Sequence, residues 1–174
     1  KMNRAGELGS FEGKDITKWL PQLMASASGM RGASGTAEMF AHLEAVRNVT
    51  GSSDQAGNAY DNYLAYLKSP EAAKNLEAYG VNLTKELIPY NNKGISTPEA
   101  FADILEKRVV STNRTVQRLK KEIAQTSDPK ELQRLNKNLD IAKMAAISTV
   151  VRDRQAGLGA AGMILGKDMI ASVK

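Results

Sequence analysis

Helix starts and stops, spelled out between Thr36 and Leu83, constrain this chain more than any other feature. Met39, Phe40, Leu43 and Val46 fall at helical spacing, and Gly51 follows as a stop. Ser52 with Gln55 three residues on has the spacing of a capping box for a second helix. That helix carries Ala56, Ala59, Tyr60, Tyr63, Leu64 and Leu67, a series that lays one broad apolar stripe along one face. Ser69 and Pro70 read as the N-cap and first residue of a third helix, which Gly80 ends. Three short amphipathic helices in succession must bury their stripes against one another. This predicts an all-α core containing Met39, Phe40, Leu43, Tyr60, Tyr63, Leu64, Leu67 and Leu76.

Elsewhere the pattern is also helical. Asp15 is a plausible cap for a helix through Trp19 and Leu20, with Leu23, Met24, Ala27 and Met30 extending its apolar face. Residues 1–14 are polar and Gly-broken and read as a loose N-terminal segment. Gly29, Gly32 and Gly35 are expected to bracket a loop. Thr84 to Pro89 reads as a short helical turn, and Tyr90 to Ser96 as a loop. Ser96 or Thr97 then caps one long helix with Phe101, Ile104, Leu105, Val109, Val116, Leu119 and Ile123 on its stripe. Thr126-Ser127-Asp128-Pro129 breaks and restarts the chain, and Leu132, Leu135, Leu139, Ala142, Ala146 and Val150 mark the returning helix. The two form a charged hairpin, RLKKEIAQTSDPKELQRLNKNLD at its tip, with a narrow apolar seam. A last helix is expected near Leu158 to Leu165. The chain thus reads as an irregular multi-helix domain over residues 15–174, with a charged hairpin inserted near residues 108–140. No strand pattern of useful length occurs.

Composition narrows the functions open to such a fold. The chain lacks cysteine, so disulfides and thiolate metal sites are excluded. No apolar run approaches the roughly 20 residues that span a bilayer. It opens on Lys1 rather than Met, which reads as a segment of a longer protein. Residues 1–100 hold 10 Lys and Arg against 11 Asp and Glu, and residues 101–174 hold 14 against 8. The basic second half admits either a solvated hairpin or a contact with nucleic acid.

No constellation for catalysis emerges. His42, the sole histidine, reads as a surface or internally satisfied residue, and no metal site is expected. Glu38 and Asp54 are a carboxylate pair only if a fold brings them together. Gly29-Met30-Arg31-Gly32 and Gly157-Leu158-Gly159 lack the preceding strand of a phosphate-cradling loop and read as helix breaks or close-packing positions. Tyr60, Tyr63 and Tyr66 could stack on bases. They fit better as a helix edge with hydroxyls reaching water, Tyr66 being the one most open to an interface. The N-x-T triplets at Asn48, Asn82 and Asn113 read as incidental. The chain is therefore expected to have no catalytic residue, cofactor or small-molecule substrate.

The order of these pieces resembles the core of phage tail tape-measure proteins. The residues that carry the resemblance are Thr50-Gly51-Ser52-Ser53, Ala56, Ala59, Asn62, Leu64, Leu67-Lys68-Ser69-Pro70 and Gly80-Val81-Asn82-Leu83. Ile16 to Leu23 with its Ala/Ser/Gly-rich sequel is similar to the segment preceding that core. Arg154-Gln155-Ala156-Gly157 and Gly159-Ala160-Ala161 resemble the closing helix. The similarity covers Asp15 to Leu165 apart from the charged stretch near Arg108 to Asp140. It implies a structural virion component that sets tail length and occupies the tail tube before genome ejection. The implied partners are other copies of the chain, the tail tube and tail assembly chaperone proteins. The implied locations are the tail tube lumen and, during assembly, the host cytoplasm. Self-association is expected through the Ala25 to Ser28 run or, preferably, the hairpin seam. A basic helical module with weak DNA contact is the alternative.

Overall fold

The computed structural model describes Lys18, Leu23, Met30 and residues 32–173. Among these the chain forms nine helices and one π-helical turn, with no strand. The helices are α1 (Gly32–Thr50), α2 (Ser53–Leu67), α3 (Pro70–Glu77), α4 (Leu83–Asn92) and α5 (Thr97–Leu105). The π-helical turn (Glu106–Val110) follows, then α6 (Arg114–Ala124), α7 (Pro129–Ser148), α8 (Arg154–Leu165) and α9 (Lys167–Val173). Residues 1–14, the helix expected from Asp15 through Leu20 and the Ala25 to Ser28 run lie outside the described residues, apart from Lys18.

Side-chain caps fix most of the starts. The Ser52 hydroxyl accepts from Gln55 N at 3.2 Å, and Ser69 accepts from Ala72 N at 3.3 Å with Pro70 at the first position of α3. Each bond satisfies one of the orphan amides that every helix N-terminus leaves. Gly51 and Gly80 end α1 and the turn after α3 at φ 90° and 73°, a left-handed backbone that costs glycine little. Two of the N-x-T triplets prove to be caps. Asn82 accepts from Lys85 N and Asn113 from Val116 N, both at 3.1 Å.

Asn113 explains the largest departure from expectation. The helix predicted to run from Ser96 or Thr97 through Ile123 is interrupted. After Leu105 the backbone widens into the π-helical turn, with Ser111 N donating to Glu106 O at 2.8 Å. The Thr112 hydroxyl then bonds the carbonyls of Arg108 and Val109, and Asn113 caps a new helix. Three consecutive Ser, Thr and Asn residues offer the backbone local partners that compete with the helical ladder. Gly32 and Gly35 lie in α1 rather than bracketing a loop. Tyr90 to Asn92 continue α4 past Pro89, so the expected loop starts later. The last expected helix begins earlier, at Arg154, where Asp153 accepts from Ala156 N at 2.8 Å, and α9 follows it.

All eight residues named for the core are buried. The centre of the body is α8 against α1 and α2, and two glycines of α8 set that approach. A Cβ on Gly159 would lie 2.6 Å from Tyr63 Cβ and 2.7 Å from Ala59 O. A Cβ on Gly162 would lie 2.5 Å from Val46 Cα. At the other side, α6 and α7 pair as the hairpin. Val116, Leu119 and Leu135 are buried in its seam, while Ile123, Leu132 and Leu139 are half-buried. Among the described residues no single helix is long and apolar enough to cross a membrane. Taken together, α8 and α9 are apolar enough, but they bend by 66° and most of α8 is buried in the body.

Two measurements check this packing. Leu64→Ala is expected to cost about 2–5 kcal/mol in denaturant unfolding, the range for a leucine removed from a closed core. Gly162→Ala should destabilise by about 1–3 kcal/mol, because the added methyl meets backbone that cannot rotate away. Gly157→Ala is the contrast. Its Cβ would meet only Val151 O, at 3.4 Å. Relief of the helical glycine penalty, up to about 1 kcal/mol, should leave that variant unchanged or more stable.

Candidate functional site

Four arrangements of side chains could carry function: the aromatic column of α2, the ion network beside α5, the group of Glu38, His42 and Glu99, and the outer face of the hairpin.

The column is closed to ligands. Tyr60, Tyr63 and Tyr66 are buried, and none of their hydroxyls is spent on water. The Tyr60 hydroxyl is 2.7 Å from His42 Nδ1, Tyr63 donates to Pro98 O at 2.6 Å, and Tyr66 donates to Val150 O at 2.8 Å. Phe101 packs edge-on against both Tyr63 and Tyr66, at 5.9 and 6.1 Å. This corrects the expectation that the hydroxyls reach water and that Tyr66 offers an interface. It also removes the stacking platform for bases. Burial, with Tyr63, Glu38 and Glu99 nearby, pushes the Tyr60 phenol well above its usual range. These three tyrosines act as hydrogen-bonded pins between elements distant in sequence.

The ion network closes one side of a cleft of about 350 Å³ between α4, α5, α8 and α9. Asp103 accepts from the Tyr90 hydroxyl, from Lys107 Nζ at 2.8 Å and from Lys167 Nζ at 3.0 Å. Partial burial raises the Asp103 carboxyl, but the hydrogen bonds from Lys107, Tyr90 and Lys167 together outweigh it and hold the group at about 2. Arg108, on the π-helical turn, pairs with Glu86 of α4. Nothing here is a nucleophile with an adjacent base; the network ties helices.

His42 is fully buried rather than on the helix surface, and Tyr60 holds one of its nitrogens. Its other nitrogen faces Glu38 Oε1 at 3.6 Å. Glu38 also accepts from the Ser96 hydroxyl. Asp54 is engaged elsewhere, in an exposed ion pair with Lys18 at 2.6 Å. Glu99, from the first turn of α5, completes a group with Glu38 and His42 whose ligand atoms all lie within 4.8 Å of one another. Sequence reasoning missed this group. The i, i+4 spacing of Glu38 and His42 was visible in the chain, but the arrival of Glu99 depends on tertiary packing.

On the hairpin the exposed surface is cationic, with Arg114, Lys120, Lys121, Lys130 and Lys137 all open to solvent. Two of its other residues pair locally, Arg118 with Glu122 and Arg134 with Glu131. The same unit carries an apolar feature absent from the sequence reading. Ile141 and Met144, one helical turn apart on α7, are 67% and 36% exposed. Beside them is a cleft of about 360 Å³ lined in part by Ile147, Val151 and Leu158.

The Asp103 network makes a pH prediction. Its carboxyl is held below the ordinary value of 3.8, so its bonds stabilise the fold above that value. That contribution disappears as pH falls from about 4 towards about 2. The thermal midpoint should therefore drop over this window more steeply for the native chain than for Asp103→Asn. Equal slopes would show that the network does not contribute.

Comparison with known proteins gives these arrangements their setting. A probable tape measure protein of Burkholderia phage BcepMu is 32% identical over 114 residues, covering 63% of this chain and 14% of that relative. The chain therefore spans a small part of the relative's length. No solved structure matches the chain. Residues 1–138 match the family described as phage-related minor tail protein. A match over that much of the chain, joined to a helical core punctuated where the tape-measure resemblance requires, establishes that this chain belongs to the phage-related minor tail protein family.

Proposed function

We propose that the chain is a structural segment of a tail tape-measure protein, which sets tail length and occupies the tail tube until the genome is ejected. The observation that carries this reading is the 32% identity to a probable tape measure protein over 114 residues, 63% of this chain. In this reading residues 15–174 act as one helical unit, and the hairpin near 108–140 is an insertion into it. In this reading the chain has no catalytic role and no small-molecule substrate. Its partners are further copies of the parent protein, the tail tube and, in the host cytoplasm during assembly, tail chaperone proteins. Membership of a tail family favours this reading over a nucleic-acid module, and the buried tyrosines offer bases no stacking surface.

An in-frame deletion of residues 32–173 from the parent gene tests the role directly. Electron microscopy should show tails that are absent, shortened or irregular in length. Tails of native length and infectivity would remove the assignment.

Contact with further copies is expected through the outer face of α7, not the seam. The buried Val116, Leu119 and Leu135 leave little of the seam to offer, whereas Ile141 and Met144 are presented to solvent. Repulsion between like charges, Lys120, Lys121 and Lys130 among them, opposes association at low salt. Sedimentation should therefore show a concentration-dependent oligomer that strengthens as salt rises and is lost in Ile141→Asp. A monomer throughout both salt levels would place the contacts elsewhere in the parent protein.

A further inference from the structure

Glu38 and His42 stand four residues apart on α1 and so share one face of that helix. Glu99 reaches the same point from α5. One ligand atom from each lies within 4.8 Å of the others, and His42 Nε2 is 3.6 Å from Glu38 Oε1. Ligands of a tetrahedral cation at about 2.0–2.1 Å stand about 3.3–3.4 Å apart. The Glu38–His42 pair is therefore within a few tenths of an ångström of that spacing, and Glu99, within 4.8 Å of both, is the third donor at hand.

The imidazole is set for ligation by a contact outside the group. Its Nδ1 is 2.7 Å from the Tyr60 hydroxyl, which is itself aimed at Met30 Sδ 4.0 Å away. In the tautomer with the proton on Nδ1, the ring donates to Tyr60, Tyr60 donates to Met30, and the Nε2 lone pair faces the carboxylates. Ligating histidines are ordinarily oriented in this way, by a hydrogen bond from the nitrogen that does not bind the metal. The Ser96 hydroxyl gives Glu38 a comparable support. The route in is also present. His42 is wholly buried, but both carboxylates are partly exposed, Glu38 on a cleft of about 230 Å³ and Glu99 on the cleft beside the Asp103 network.

We propose that Glu38, His42 and Glu99 form a binding site for one divalent first-row cation, of which Zn²⁺ is the best match to an imidazole with two carboxylates. The bound ion pins α1 to α5. Its role is to fix the body of the domain, and it is independent of the tail assignment.

The chain has one histidine and no cysteine, so nitrogen or thiolate sites elsewhere do not compete, provided no polyhistidine tag is present. Equilibrium dialysis of the full chain against Zn²⁺ should retain one ion per chain. Co²⁺ in its place should give the intense visible bands of a tetrahedral site. At free Zn²⁺ about 100 times its dissociation constant, the thermal midpoint should rise by about 5–10 °C, reversed by chelator. His42 lies in the core, and its replacement risks the fold. The decisive variant is therefore Glu99→Gln, compared against its own metal-free midpoint, which should weaken Zn²⁺ binding by at least about tenfold. Three results would overturn the site. One is no retained Zn²⁺, and another is binding unchanged in Glu99→Gln. The third is a midpoint that rises on acidification from pH 8 to 5 without responding to metal, which would assign the position between the carboxylates to a proton on His42.

Discussion

The body of this protein depends on how closely α8 approaches α1 and α2. Gly159 and Gly162 place backbone where any side chain would collide with Ala59, Tyr63 or Val46. Helices that meet at such short range exchange dispersion contacts along their whole backbones, and this substitutes for the bulky aromatics the chain largely lacks. The stripe of α2 then closes over α8, and Tyr66 extends it by bonding Val150 O in the segment that leads into α8. Residues separated by some eighty positions in sequence are joined there by one hydroxyl and one carbonyl.

What could be read from the residues was whatever acts within three or four positions. Ser52, Ser69 and the glycines after α1 and α3 bond or bend their own neighbourhood, so their roles follow from spacing alone. The stripe on α2 was legible for the same reason, since its period is that of one helix. Other features depend on partners far away in the chain. Tyr66 lies off the stripe by periodicity yet is buried, because α8 and the segment before it come over that edge. Asn113 and the π-helical turn hide inside what reads as one apolar repeat, since Val109 and Val116 keep helical spacing across the break. The Glu38–His42–Glu99 group had one half in view on α1 and the other on an element whose position no local pattern states. Ile141 was invisible for the opposite reason, as an apolar residue at helical spacing is ordinarily covered.

Polar groups in this fold serve mostly as fasteners. Asp103 on α5 gathers three donors, from α4, the π-helical turn and the start of α9. Asn75 donates to Val150 O alongside Tyr66, so one carbonyl holds α3 and α2 together. Such bonds contribute modestly to net stability but are costly to leave half-made, which gives the short helices a single arrangement.

The longest helix, α7, has 20 residues, so it rises about 30 Å as one rigid rod. It begins at the charged tip of the hairpin and ends beside the carbonyl that grips Tyr66 and Asn75. In mechanical terms it is a lever with its fulcrum inside the protein. A push at the tip is carried along the rod towards Val150, whose carbonyl accepts the two hydrogen bonds that clasp α2 and α3. The hairpin is thereby a handle through which a push from outside is felt inside the folded body.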